Sequence, residues 1–250
     1  VVRDDMMGFG SKCRFGDILV QKAPTDTLVY VQPRFGFAGI SLAYLANKYN
    51  KKLVLFMPSG KVISDHQAIC IERGAIPKFR RIAAMPNLNK IAKEWAEANG
   101  ATFIPLGLKH ELVTAAAVKV AYNVAEKHGY PEEVWSAIST GVLQRSLQIA
   151  WPDATFNAVA VSRNIKNGEL GKAKIWSHPK AFAADVSPKF APPFPSAMNY
   201  DAKAWEFMVK HGNPGAWFWN VGGQPYPDSE ETKEKTNSQR EWGEVLEMDQ

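Results

Sequence analysis

The chain has 250 residues, 46% apolar, 11% aromatic and 22% charged, enough to bury a full core as one large domain or two small lobes. Its 18 Gly and 16 Pro exclude collagenous and low-complexity classes, and no apolar run nears the ~18 residues of a membrane span. The net charge is +5, with eight acids from Asp228 onward against Lys233, Lys235 and Arg240, so a basic body suited to an anionic ligand precedes an acidic end.

In chain order, Thr27 to Val31 reads as a short buried strand, followed by a glycine-punctuated turn and a helix from Ile40 to Tyr49. Lys52 to Met57 is the next strand. A helix from Ser64 to Arg73 follows, with Ser64 and Asp65 placed to cap its start and Gly74 to end it. Asn87 to Asn99 predicts another helix and Thr102 to Pro105 a short strand. Glu111 to His128 is a long Ala/Val-rich helix. Val134 to Ile138 reads as a strand leading into a helix from Val142 to Ala150, and Phe156 to Val161 as a further strand. Residues 179–195 hold five prolines and predict an extended loop. The end, from Pro225, is polar, with one short helix near Glu241. Alternating helices and unalternating apolar strands predict an α/β fold with largely parallel sheets flanked by helices.

Two cysteines, Cys13 and Cys70, form neither a disulfide framework nor a metal cluster, which points to a reducing, cytoplasmic setting. The chain opens Val-Val, leaving room for a preceding leader, and begins with no signal-peptide pattern. The five histidines lack ligand spacing, so no metal site is expected. No RNP, zinc or helix-turn-helix signature accompanies the basic charge, which ranks nucleic-acid binding behind the other readings. Trp205, Trp217 and Trp219 fall in regular elements and read as core.

The most informative segment is VVRDDMMGFGSKCRFGDIL, residues 1–19. A glycine turn delivers Lys12 to the start of a helix-like run, where neighbouring cations or desolvation lower an amine pKa and favour the neutral nucleophile. By spacing alone Lys12 reads rather as one surface lysine among many. Cys13 beside it would be reactive in an electropositive turn, or else a small buried side chain.

The R-D-D…G-S-K-x-R string over Arg3, Asp4, Asp5, Lys12 and Arg14 resembles the N-terminal signature of fold type II pyridoxal-phosphate (PLP) enzymes. It is most similar to the 1-aminocyclopropane-1-carboxylate deaminase and D-cysteine desulfhydrase branch. Residues 32–49 resemble that family's substrate loop and helix, with Gly36, Ala38 and Gly39 matching, and a glycine turn opening a helix suits a carboxylate. Residues 57–75 look like its strand-Pro-loop-helix passage. Residues 137–147 sit where its phosphate loop follows a strand, although by itself the segment reads as an ordinary strand-to-helix turn. NYDAKAWEFM, residues 199–208, and WFWNVGG, residues 217–223, resemble its late Tyr-x-x-Lys helix and terminal strand.

The resemblance implies two lobes with the cofactor site between them. Residues 1–224 would form the compact unit, with a small lobe of about 36–135 inserted in the larger, and 225–250 an acidic tail. It implies a PLP-dependent lyase or deaminase acting on a small amino acid or analogue by deamination, β-elimination or replacement, through a Lys12 Schiff base. Tyr200 would be a second acid/base. Ser139, Thr140, Gly141, Val142 and Leu143 would hold the phosphate, with Arg145 adding charge, and Arg34, Gly36, Ala38 and Gly39 the substrate. A homodimer is implied as well.

Three departures bear on the chemistry. Phe37 stands where the family has an asparagine on the cofactor's phenolic oxygen, and a phenyl ring cannot donate that bond. Val142 and Leu143 replace a Gly and a Thr. Val221 stands where a hydroxyl would reach the pyridine nitrogen, with Asn220 the nearest polar substitute. These departures keep a second reading open: a catalytically silent fold that binds a phosphorylated ligand or a partner.

Overall fold

The computed structural model describes residues 1–7, 9–81, 84–162, 165 and 168–223. The expected acidic tail, 225–250, and the helix near Glu241 lie outside the described residues. In chain order the elements begin β1 (Val2–Arg3), α1 (Lys12–Phe15), α2 (Asp17–Gln21), β2 (Thr27–Val31) and α3 (Ala38–Lys48). They continue β3 (Lys52–Pro58), α4 (Asp65–Glu72), β4 (Ile76–Arg80), α5 (Met85–Ala98) and β5 (Thr102–Phe103). The last are α6 (Glu111–His128), β6 (Glu133–Ile138), α7 (Val142–Ala150), β7 (Thr155–Ala160), β8 (Lys174–Ser177), α8 (Asp201–His211) and β9 (Trp217–Asn220).

The chain divides into two compact units, Val1–Ile18 with Gly107–Gln224, and Leu19–Leu106. The second unit carries a four-stranded sheet, β4-β3-β2-β5, with every pairing parallel. Its strands read TLVYV and KLVLFMP because parallel strands bury both faces and tolerate no polar alternation. On one face Val29, Val31, Val54 and Phe56 meet Leu88, Ala92 and Ala96, the four-residue repeat that gives α5 one apolar stripe. Ser64 caps α4 through a reciprocal capping box with Gln67.

The first unit carries a five-stranded parallel sheet, β1-β9-β6-β7-β8. All six residues of β6 are buried. Glu133 tolerates this because its carboxylate accepts from Trp135 Nε1 and Asn213 Nδ2. One face packs Trp135, Ala137, Val159 and Phe218 against Ala204 of α8, with Trp205 on the rim. Trp219 is 1% exposed, and Trp217 meets Trp151 edge-on, so these tryptophans are packing residues.

The parallel α/β architecture expected from the sequence is present, and the boundaries of α6 and α7 coincide with the expectation. Three strands were not legible: β1, which is only two residues long, and β4 and β8. β4 reads IPKFR and β8 reads KIWS, too polar and interrupted for a central strand, and each lies at a sheet edge. Edge strands tolerate Pro and Lys because one side needs no ladder bond. The proline-rich segment 179–195 is irregular apart from a 3₁₀ turn at Pro188–Phe190. Buried Lys203 pins it, donating from Nζ to Ala181 O at 2.8 Å and Phe182 O at 3.2 Å. No helix among the described residues is long and apolar enough to cross a membrane.

Candidate active site

Lys12 opens α1 directly after Gly10, whose φ of 77° turns the chain, and Ser11, whose N–H donates to Val221 O at 2.8 Å. This tie to the end of β9 sets the lysine over the carboxyl end of the first unit's sheet, where parallel α/β sheets bind ligands. Lys12, Ser139, Thr140, Gly141, Val142, Leu143, Tyr200 and Val221 line one small cavity. The sequence reading named all eight, from four separate stretches of chain.

The loop 139–143 leads β6 into α7. Gly141 caps the helix with φ of 73° and no side-chain bond, so backbone N–H groups of the first turn face the cavity without an intrahelical acceptor. Two glycines shape the loop. A Cβ on Gly107 (φ 72°) would lie 2.4 Å from Thr140 Oγ1, and one on Gly141 would lie 2.3 Å from Leu170 Cδ2. Gly141→Ala is expected to destabilise by about 2–4 kcal/mol, combining left-handed strain with overpacking. Gly168 has φ of 77° but open space around it, so Gly168→Ala should cost only the strain, about 1–2 kcal/mol. Urea titration of both variants checks the difference.

Electrostatics favour neutral forms throughout. Burial lowers the Lys12 amine pKa, against a smaller opposing pull from Asp201. Burial raises Asp201 well above the ordinary carboxylate range; the nearby Val221 and Gly222 N–H groups and Lys12 oppose this only in part. Asp201 is wholly buried, and neither carboxylate oxygen has a donor in hydrogen-bond geometry. Tyr200 is also raised by burial, and its hydroxyl lies 3.5 Å from Ser139 Oγ. The Cys13 thiol is pushed up to about 11, chiefly by burial and then by Asp4. The Cys13 side chain is half-buried.

Two buried polar residues escaped the sequence reading: Gln144, which lines the cavity, and Asp201, which does not line it but pulls electrostatically on Lys12. Asp201 follows Tyr200 in the first turn of α8, where an acid ordinarily reads as serving the helix dipole. Gln144 lies in the polar string QRSLQ and reads as surface. It is fully buried, lines the cavity, and accepts from Ser136 Oγ at 2.5 Å, while its Nε2 has no partner among the described residues.

Asn220, the expected polar substitute on β9, is committed elsewhere. Its Nδ2 donates to Asp5 Oδ1 at 2.7 Å and Pro195 O at 2.8 Å, and its Oδ1 accepts from Ser196 Oγ at 2.9 Å. With every polar atom engaged it holds β9 in place and does not line the cavity.

The remaining expected residues belong to the second unit. Gln32 organises their turn, accepting from Gly39 N–H at 2.8 Å and donating to Pro33 O and Gly36 O, both at 3.0 Å. The Gly39 N–H is thereby occupied, and the absence of a Cβ is what matters there, since one would lie 2.3 Å from Gln32 Oε1. Ala38 opens α3. The Phe37 ring meets His66 edge-on at 5.5 Å, and burial lowers the His66 pKa to about 4, leaving it neutral. Arg34 Nη2 donates to Val62 O at 2.8 Å.

Among the described residues no group of three or more His, Cys, Asp or Glu side chains is placed to hold a metal ion. No family model and no curated protein sequence matches the chain. Solved structures do. An ACC deaminase homologue superposes with a TM-score of 0.74 at 17% identity, over 95% of this chain and 87% of that one. A threonine deaminase from T.th. gives 0.66 at 17% identity, over 88% and 84%. Diaminopropionate ammonia lyase from Escherichia coli gives 0.64 at 12% identity, over 94% and 80%. What these likenesses establish is the architecture: the chain has the fold of the fold type II pyridoxal-phosphate enzymes.

Proposed function

We propose that this chain is a PLP-dependent enzyme acting on a small amino acid or analogue, by deamination, β-elimination or replacement, with Lys12 as the amine that holds the cofactor. The observation that carries the reading is a half-buried lysine whose amine desolvation drives towards its neutral form, sharing one cavity with the whole turn Ser139–Leu143. The residues present fit the group. An unpaired buried amide donor at Gln144 costs about 1–3 kcal/mol while unsatisfied. A phosphate in the cavity would accept from it.

When bound, PLP supplies an electron-accepting ring that stabilises negative charge at a substrate carbon. The chain supplies the rest. The first-turn N–H groups of α7, the Ser139 and Thr140 hydroxyls and Gln144 Nε2 would bind the phosphate, replacing the donor lost with Leu143. The neutral Lys12 amine can take up a proton and return it. Tyr200, kept protonated by burial, holds a proton at its hydroxyl as a second acid. Asp201, its carboxyl held above the ordinary range by burial, is close enough to Lys12 to bear on the amine's charge. For the substrate's carboxylate the resemblance points to the Gly36–Gly39 turn and Arg34, although the Gly39 N–H already donates to Gln32. We place the protein in the cytoplasm, in keeping with its two free cysteines.

The test is a visible absorption spectrum with added PLP, followed by borohydride reduction and peptide mapping. A yellow band with the label fixed on Lys12 is expected. No band, or label scattered over surface lysines, overturns the reading in favour of a silent fold that binds a phosphorylated ligand.

We also propose a homodimer. Thr114, Ala115, Val118 and Tyr122 of α6 and Ile149 of α7 line an exposed apolar groove, with Glu111 and Lys119 also on it. A two-fold axis near Ala115 would set each Glu111 toward the partner's Lys119, with a small side chain at the crossing. Tyr122 is 42% exposed. Tyr122→Glu is expected to weaken dimerisation at least tenfold in sedimentation equilibrium, by placing a charge in the apolar contact.

A further inference from the structure

One buried carboxylate holds both flanks of the lysine turn. Asp4 lies in a 3₁₀ turn over Asp4–Met7 and is 1% exposed. Ser11, immediately before Lys12, donates from Oγ to Asp4 Oδ2 at 2.6 Å. Arg14, two residues after Lys12, donates from Nη1 to Oδ1 at 2.5 Å. Trp219 Nε1, on β9, donates to Oδ2 at 2.8 Å. The adjacent Asp5 does a different job, binding Arg3 and Asn220 and so joining β1 to β9.

Stability alone is a poor explanation for such a residue. Buried ion pairs are often no better than apolar residues of the same volume, because desolvation offsets the attraction. A single acceptor shared by three donors does something packing cannot: it fixes the mutual orientation of the groups it joins. Two of those groups flank Lys12, and the third lies on the strand whose end, Val221, also lines the cavity. The R-D-D…G-S-K-x-R spacing then has a physical meaning, since Asp4 reads the Ser before the lysine and the Arg after it.

We infer that Asp4 is the positioning residue of the Lys12 amine, clamping both flanks of its turn onto β9 so that the amine stays inside the cavity and out of bulk water. The inference rests on the reading of Lys12 as the reactive amine, but its test does not require the cofactor. The ionisable groups facing Lys12 are Asp201 and Tyr200, and Asp4 itself carries the Arg14 counter-charge.

The experiment is reductive methylation of the full chain with formaldehyde and cyanoborohydride across a pH series, with Lys12 modification followed by peptide mass spectrometry. Asp4→Asn is expected to raise the pH midpoint of Lys12 by about one unit and to lower its rate at pH 7 about tenfold, because an amine released to water regains its ordinary basicity. Glu133→Gln removes another buried carboxylate of the same unit and should lower the melting temperature without moving that midpoint. An unmoved midpoint in Asp4→Asn overturns the inference, and so does an equal shift in both variants. Should Asp4→Asn not fold, Ser11→Ala removes one bond from the turn, with a shift of the same sign and a rate about threefold lower expected; no change there is equally fatal. An absent PLP band in the wild type would instead count against the proposed function, leaving the methylation result to decide the role of Asp4.

Discussion

Lys12→Ala is expected to abolish the visible band with PLP and to lower turnover of any amino-acid substrate by about 10³-fold or more, the scale of losing an acid/base together with the covalent attachment. The ligand-free variant should meanwhile be no less stable than the parent at neutral pH. Burial lowers the amine's pKa in the folded state, so Lys12 contributes stability that is complete above its unfolded value, about 10.4. That contribution is lost as pH falls through the folded value. At pH 7 the unfolded chain binds a proton that the folded site resists, and Ala removes this penalty. Urea titrations at pH 7 and pH 9.5 would measure it, with the parent gaining relative to Lys12→Ala as pH rises. Turnover surviving in Lys12→Ala would sink the proposed mechanism outright.

Asp201→Asn should separate stability from function in the same way, with the opposite pH dependence. The folded carboxyl has a raised pKa because it is buried, the Val221 and Gly222 N–H groups and Lys12 opposing this only in part. Its contribution is therefore complete below the unfolded value, near 3.9, and lost as pH rises towards the folded value. Between those two values the folded chain holds a proton that the unfolded chain releases, so folding carries a proton-uptake penalty that persists at higher pH. An amide has no proton to take up, so Asp201→Asn should stabilise the ligand-free protein by at least about 1 kcal/mol, since one pKa unit is worth about 1.4 kcal/mol. It should also flatten the decline in stability above pH 4. If Asp201 tunes the Lys12 amine, the same change should alter turnover by about tenfold, because it removes the pull that opposes the amine's lowered pKa. A variant that is less stable at pH 7 and fully active would show a carboxylate that is charged and merely structural.

Much of this arrangement was legible in the residues themselves. Val/Leu-rich strands without polar alternation announced parallel sheets, since a strand covered on both faces has no solvent side to mark. The 18 residues of α6 were bounded by a Gly stop and an apolar repeat, and Ser64 marked the start of α4. These signals are local: caps, periods and breakers act over a few residues, so a linear reading recovers them. The lysine turn and the turn at 139–143 were legible for the same reason, because each is a short backbone motif. Edge strands β4 and β8 were not, because an edge needs neither continuous apolarity nor a free N–H on every residue.

Sequence by itself therefore determined the α/β class, the order of the central elements and the glycine turns that present Lys12 and Ser139–Leu143. Only the tertiary structure decided which polar side chains are buried and whether they have partners. Asp201 and Gln144 look like ordinary helix residues until burial leaves them unsatisfied. Asn220 looks like a cofactor contact until Asp5, Ser196 and Pro195 occupy its amide. Asp4 looks like one acid of a pair until Ser11, Arg14 and Trp219, the last 215 positions away, converge on it. Desolvation and hydrogen-bond saturation depend on what surrounds a group in three dimensions, and residues distant in sequence supply most of those surroundings.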